Sequence, residues 1–206
     1  MRFFTMTTLF LVLALFQTAP ANAQKKETKE VKMPNETFET IFARKSVRKF
    51  KDAELSKERL QLIVKAGMAA PTAVDKRPWH FVVVQDAKLL QKLGEQLPYA
   101  KMAKQASAAI VVVGDLKQQH GGKDSDYWIM DCSAATQNIL LAVESLGLGA
   151  VWTAVYPDME RVKTVRSLLD VPEDMMPLNV IPIGTPKGNP KAKDKYDKSR
   201  LHWNNW

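Results

Sequence analysis

The 206-residue sequence predicts an α+β fold in which helices cover a central sheet, and three observations carry that expectation. Four short runs rich in β-branched and aromatic residues, "HFVVVQ" (80–85), "AAIVVVGD" (108–115), "GAVWTAVY" (149–156) and "LNVIPIG" (178–184), have the composition of strands. The segments between them place apolar residues at helical spacing behind Ser, Asp or Asn caps. "AAIVVVGD" is apolar at successive positions, as a strand must be when both faces of its sheet are covered. With 46% hydrophobic and 25% charged residues, the chain can build one sizeable core, and one domain is expected.

Residues 1–23 stand apart from that domain. Met1 and Arg2 precede the largely apolar "FFTMTTLFLVLALF", and Ala21-Asn22-Ala23 gives the small-x-small end of a secretory signal peptide, with cleavage before Gln24. An uncleaved anchor is the rival reading, but the run falls short of the ~20 residues a spanning helix needs. The expectation is an exported chain, periplasmic or secreted, with no stable membrane insertion after cleavage. Residues 24–34, "QKKETKEVKMP", are charged and aperiodic and read as a flexible leader. The single domain then runs from 35 to 206.

Asn35 is placed to cap a first helix carrying Phe38, Ile41 and Phe42. A second helix is expected from Ser56 to about Ala70, with Leu60, Ile63, Val64 and Met68 as its stripe and Pro71 as its stop. Asp86 and Asp158 cap two more helices. The longest helix, about 127–146, is apolar on most sides, Met130 and Ala134 included, and is expected to run through the core. Gly147 and Gly149 follow it; because Gly-Leu-Gly comes after a helix and lacks a third glycine, it reads as a left-handed helix cap, not as a dinucleotide fingerprint. The tail, 187–206, has no apolar periodicity but carries Tyr196, Trp203 and Trp206, so it is expected to wrap onto something else, a second subunit being one candidate.

The net charge is +8, and removing residues 1–23, which hold only Arg2, lowers it to +7. Basic character admits an anionic partner; export argues against nucleic acid, and a lysine-rich solvated surface is the plain alternative. The charge is concentrated at "FARKSVRKF" (42–50). Arg44, Ser46 and Arg48 alternate, so in extended backbone all three side chains point one way, and guanidinium forks with a hydroxyl suit a terminal phosphate. A basic helix end complementing its dipole would also explain the cluster. Lys193 and Lys195 alternate in the tail in the same manner, so the two segments could close on one anion. In "AAPTAVDKRPWHF" (69–81), small residues such as Ala70, Thr72 and Ala73 would let backbone and hydroxyl donors approach a flat ligand, though a plain helix-to-strand loop has the same look.

Other chemistry finds little support. Cys132 is the only cysteine, so no intramolecular disulfide can form, and its apolar helical setting reads as a buried small hydrophobe. His80, His120 and His202 are far apart and lack metal-ligand spacing, and Asp124-Ser-Asp126 lacks the glycine and glutamate of a calcium loop; no metal site is expected.

Taken in order, "RKSVRKF", "AAPTAVDKRPWHF", the long helix into "LGLGAVW" and the Lys-x-Lys tail closing on "LHWNNW" resemble the nitroreductase family of flavin enzymes, over nearly all of residues 35–206. The resemblance implies a mostly antiparallel sheet flanked by helices, and an intertwined homodimer with FMN at the subunit interface. It implies that Arg44, Lys45, Ser46 and Arg48 form the flavin cluster, with Arg44 and Ser46 toward the phosphate and Arg48 nearer the ring's pyrimidine edge. Lys193 and Lys195 match the tail's share of the phosphate site. Pro71, Thr72 and Ala73 match the loop along the flavin, and Thr153, Ala154 and Val155 the backbone at its other edge. Asp75 and Arg77 stand where relatives often carry Asn and Gln; ionised, Asp75 accepts hydrogen bonds and cannot donate them, and Arg77 or Lys76 is near enough in sequence to pair with it.

The same resemblance implies an FMN-dependent oxidoreductase in which the flavin carries the hydride and no side chain acts as nucleophile or base. Electrons would pass from a donor such as NAD(P)H to nitroaromatics, quinones or another small conjugated acceptor. A non-catalytic exported flavin- or anion-binding protein is the alternative.

Overall fold

A computed structural model describes residues 35–206; the expected signal segment, 1–23, and the leader, 24–34, lie outside the described residues. Five helices and five strands follow in chain order: α1 (Glu36–Ala43), α2 (Lys57–Met68), β1 (Trp79–Val84), α3 (Ala87–Gln96), β2 (Ala108–Asp115), α4 (Tyr127–Ser145), β3 (Gly149–Ala150), β4 (Thr153–Ala154), α5 (Met159–Leu169) and β5 (Met175–Gly184). Asn35, Ser56, Asp86 and Asp158 accept from first-turn N–H groups of α1, α2, α3 and α5, which satisfies donors that would otherwise be left unpaired.

The sheet has the order β1-β2-β5-β3, with β4 also on the β3 edge of β5, and every strand pairing is antiparallel. β2 lies inside it, and the alternation of its side chains divides the core. Ala108, Ile110 and Val112 join Leu60, Ile63, Cys132, Ile139 and Val143 of α2 and α4 on one face. Ala109, Val111 and Val113 join Leu90, Leu93, Val162 and Val165 of α3 and α5 on the other. An unbroken apolar strand is therefore what two covered faces require.

The expected strand 149–156 is instead two fragments on one ladder. Gly149 and Ala150 pair with Gly184 and Ile183, and Thr153 and Ala154 pair with Val180 and Asn179, so the register is continuous across the gap. The Val155 N–H donates to the Leu178 carbonyl, which turns the even-numbered residues of β5 toward this edge. Val151 then faces Pro182, which has no N–H to give, and the ladder breaks there.

Three other expectations shift. Gly67, not Met68, takes the buried place at the end of the α2 stripe. The buried side of α4 is a single stripe from Trp128 through Asp131, Cys132, Ala135, Thr136 and Ile139 to Val143, so the helix lies on the core and leaves Met130 exposed. In α1, Phe38, Ile41 and Phe42 form the expected stripe but none is buried. Uncovered apolar residues also end the chain, where Trp203 and Trp206 are 79% and 101% exposed.

Candidate anion and cofactor site

At Arg44 the chain leaves α1 and turns into extended backbone, with the Arg44 N–H still donating to the Thr40 carbonyl. The next residues lie along the β3 edge: Ser46 bridges Ala150 in parallel fashion, and the Val47 N–H donates to the Ala150 carbonyl at 2.8 Å. Val47 is buried against Gly149, where an added Cβ would stand 2.7 Å from the Val47 Cβ. That close approach holds the segment down, and alternation turns Arg44, Ser46 and Arg48 to the other side. Lys45 reaches back to the Glu144 carboxylate of α4 at 2.5 Å, a partly buried ion pair that ties the segment to the helix end. Just beyond, Gly147 adopts φ +70° and the Leu148 N–H donates to the Val143 carbonyl, the left-handed cap expected of this glycine.

The tail approaches from the opposite end of the sequence. After β5, the Lys51 N–H donates to the Thr185 carbonyl and the Lys187 N–H to the Lys49 carbonyl, so residues 185–187 run antiparallel to 49–51. The chain then passes in front of the basic segment. Arg44, Lys45, Ser46, Arg48, Lys191, Lys193 and Lys195 line one cavity of about 250 Å³ with no carboxylate among them. A larger space of about 690 Å³ opens beside it, between Ile41, Phe42 and Arg44 on one side and Lys193 to Tyr196 on the other. Lys191, absent from the sequence-derived site, joins by the i, i+2 alternation that selected Lys193 and Lys195, extended by one step.

The other expected residues lie elsewhere. The Thr153 hydroxyl donates to the Val180 carbonyl and its side chain is buried, Val155 is buried with its N–H taken by Leu178, and Ala154 is exposed with its carbonyl 3.4 Å from Arg161 Nη1. Pro71, Thr72 and Ala73 begin a tight loop after α2. The Ala73 N–H, a donor expected to be open to a flat ligand, is taken at 2.9 Å by Oδ1 of Asp131, and Thr72 Oγ1 accepts from the Arg77 N–H.

That loop is strained and braced. Val74, Asp75 and Arg77 have φ of 43°, 56° and 50°, a region β-branched residues rarely enter. Asp75 accepts both hydrogen bonds of the Arg77 guanidinium, at 2.7 and 2.5 Å. That hydrogen bonding, aided by the guanidinium charge, holds the Asp75 carboxyl below the ordinary carboxylate range. Asp131 is 4% exposed and its Oδ2 has no hydrogen-bond partner among the described residues. Sequence reasoning passed over it because an acid inside an apolar helix gives no local sign of the chain it meets.

Asp131 touches the loop at one end of α4 and Glu144 holds Lys45 near the other, 13 residues away. At 1.5 Å per residue, they are ~20 Å apart along the helix. Within one chain, the loop 71–75 therefore does not join the basic cavity, whereas the two cationic segments meet in it.

The model of the Nitroreductase family matches residues 41–98 and 93–185. A protein of Methanothermobacter thermautotrophicus, provisionally named an NADH dehydrogenase/NAD(P)H nitroreductase, is 46% identical over 171 residues, covering 83% of this chain and 88% of that protein. A crystal structure of a provisionally so named protein from Bacteroides thetaiotaomicron superposes with a TM-score of 0.80 at 48% identity, over 84% of this chain and 100% of the other. An FMN-dependent nitroreductase from Clostridium difficile R20291 superposes with a TM-score of 0.74 at 33% identity, over 81% and 98%.

Proposed function

The chain belongs to the nitroreductase family, and from that premise we propose how its own residues serve an FMN-dependent oxidoreductase with NAD(P)H as electron donor. The observation that carries the reading is the convergence of 44–48 and 191–195 on one cavity. Its donor set fits a phosphate dianion: a guanidinium fork, a hydroxyl and several ammonium groups, with no lining carboxylate to compete.

Arg44, Ser46, Lys193 and Lys195 hold the phosphate, joined by Lys191. Lys45 divides its charge between the cavity and Glu144, and so sets the height of the segment. Arg48, at the far end of the alternating face, favours negative charge on the pyrimidine edge of the ring. When bound, FMN supplies the hydride chemistry between donor and acceptor. The chain's part is to bind, orient and exclude water, and no side chain is assigned as nucleophile or base.

The loop 71–75 lies too far along α4 to meet the same flavin in one protomer. A homodimer resolves this: the partner's copy of the loop covers the ring, and α1, the open side of α4 and the aromatic tail supply the apolar contact surface. The acceptors are nitroaromatics, quinones or other small conjugated molecules that can stack on an exposed ring face. The chain is proposed to act after export, with residues 1–23 removed; export would leave nicotinamide donors scarce and put a premium on binding them.

The test is optical. The purified protein should be yellow, bleach with NAD(P)H and regain colour when a nitroaromatic or quinone is added. Colour that no donor bleaches would favour a flavin-binding protein without turnover, and a colourless protein that does not take up FMN would end the proposal. Sedimentation should give twice the chain mass, and the exported form should begin at Gln24.

A further inference from the structure

A second cavity, about 490 Å³, adjoins the phosphate cavity and shares Arg48 with it. Its other lining residues are Lys49, Lys101, Met102, Gln105 and Lys187. Four cations from three stretches of chain converge there, and no carboxylate lines the space. None of the four makes an ion pair among the described residues. A carboxylate, Asp52, lines the adjoining hollow beside Lys104 and Lys187.

These cations are carried on fixed backbone, which separates them from a solvated lysine fringe. Lys49 and Lys187 are locked together by the Lys187 N–H to Lys49 carbonyl bond at 2.9 Å, next to the bridge between Phe50 and Pro186. Lys101, Met102 and Gln105 sit on a short turn nailed to the core by Ala103, which is fully buried and whose N–H donates to the Ala100 carbonyl. Fixed like charges around a concavity repel one another, and a polyvalent anion placed among them removes that repulsion.

We propose that this cavity is a pyrophosphate subsite that anchors the phosphorylated electron donor, with Arg48 as the wall between it and the flavin cavity. The assignment rests on the flavin reading of the first cavity. Two phosphates would span Lys49, Lys187 and Lys101, while Met102 offers an apolar surface and Gln105 a neutral amide to the attached sugar. The nicotinamide end is then free to reach the ring. Free polyphosphate presents the same chemistry, so the experiment must tell the two sources apart.

The experiment is calorimetry on the flavin-loaded full-length protein and on Lys49→Gln and Lys101→Gln, with inorganic pyrophosphate and NADP+ as probes. Pyrophosphate should bind the parent protein, weaken with rising salt and displace NADP+. Each substitution should weaken both probes by roughly 5- to 10-fold, the scale of one partly exposed charge-assisted contact. KM for NADPH should rise by a similar factor, while FMN affinity, the visible spectrum and KM for a dihydronicotinamide lacking the phosphates stay unchanged. Pyrophosphate that binds without displacing NADP+ would make this a free-phosphate site and overturn the donor assignment. A yellow protein with no pyrophosphate heat, or with equal losses for both donors, would remove the subsite. A colourless protein whose pyrophosphate binding still depends on Lys49 and Lys101 would instead sink the flavin reading and leave the anion subsite standing.

Discussion

Gly149→Ala tests how the proposed phosphate-binding face is held. The new Cβ would lie 2.7 Å from the Val47 Cβ and 2.8 Å from each Val47 methyl. Carbon pairs rest at ~3.5–4.0 Å, so the 44–48 segment has to lift by most of an ångström. Overpacking of this kind costs ~1–3 kcal/mol. In a domain of this size, 1 kcal/mol moves Tm by ~2–4 °C, so a fall of about 2–12 °C is expected. The lift also breaks the Val47 N–H bond to Ala150 and tilts Arg44, Ser46 and Arg48 together, so FMN retention should fall with Tm. Adding Val47→Ala removes the two methyls but leaves its Cβ, and should restore part of both losses. The assay is thermal unfolding of the flavin-free protein alongside an FMN fluorescence titration. A Gly149→Ala protein with unchanged Tm and unchanged FMN affinity would refute the claim that Val47 packed on this glycine sets the site.

Arg44→Ala should weaken FMN binding by ~1.5–3 kcal/mol, the scale of a charge-assisted hydrogen bond, and Lys195→Ala by less, since Lys191 and Lys193 of the same tail also line the cavity; fluorescence titration reads both. Asp131→Ala leaves the Ala73 N–H without its acceptor, so the strained loop should loosen, shown by faster amide exchange at 73–77 and by ~1–3 kcal/mol of lost stability. The Asp75 carboxyl, held low by Arg77, should titrate below the usual range in an NMR pH series and return to it in Arg77→Gln. Because its folded value is depressed, the bracing it gives the loop is present above the ordinary carboxylate pKa of ~3.9 and is lost as pH falls through the lower folded value. Burial pushes the Cys132 thiol far above the ordinary range, so alkylation at pH 8 should be negligible in the folded protein and complete after unfolding.

Local rules were enough for the helices and for the buried β2, because a cap followed by a periodic stripe has few alternatives. Pro182 could be seen in the sequence, but its effect on the ladder depends on which strand lies on which side, which is a property of the sheet. Gly67 replaced Met68 in the core for a similar reason: Ile139 of α4 leaves no space there for a long side chain. The cationic segments could be read from their alternation, which also serves Lys191. The ties of Lys45 to Glu144 and Ala73 to Asp131 could not, since each spans more than fifty residues and neither partner carries a local signal. The second basic cavity has no such pattern: Lys49 belongs to the basic cluster, but Lys101 and Lys187 are isolated in sequence and meet it only where three backbone stretches cross.

The most direct test compares FMN with riboflavin, which lacks the phosphate, by titration against the flavin-free protein and against Arg44→Ala/Lys195→Ala. FMN should bind at least ~100-fold more tightly to the parent protein, on the scale of two charge-assisted contacts, and the double substitution should remove most of that preference while leaving riboflavin affinity in place. Equal affinities for the two flavins in the parent protein would contradict the account.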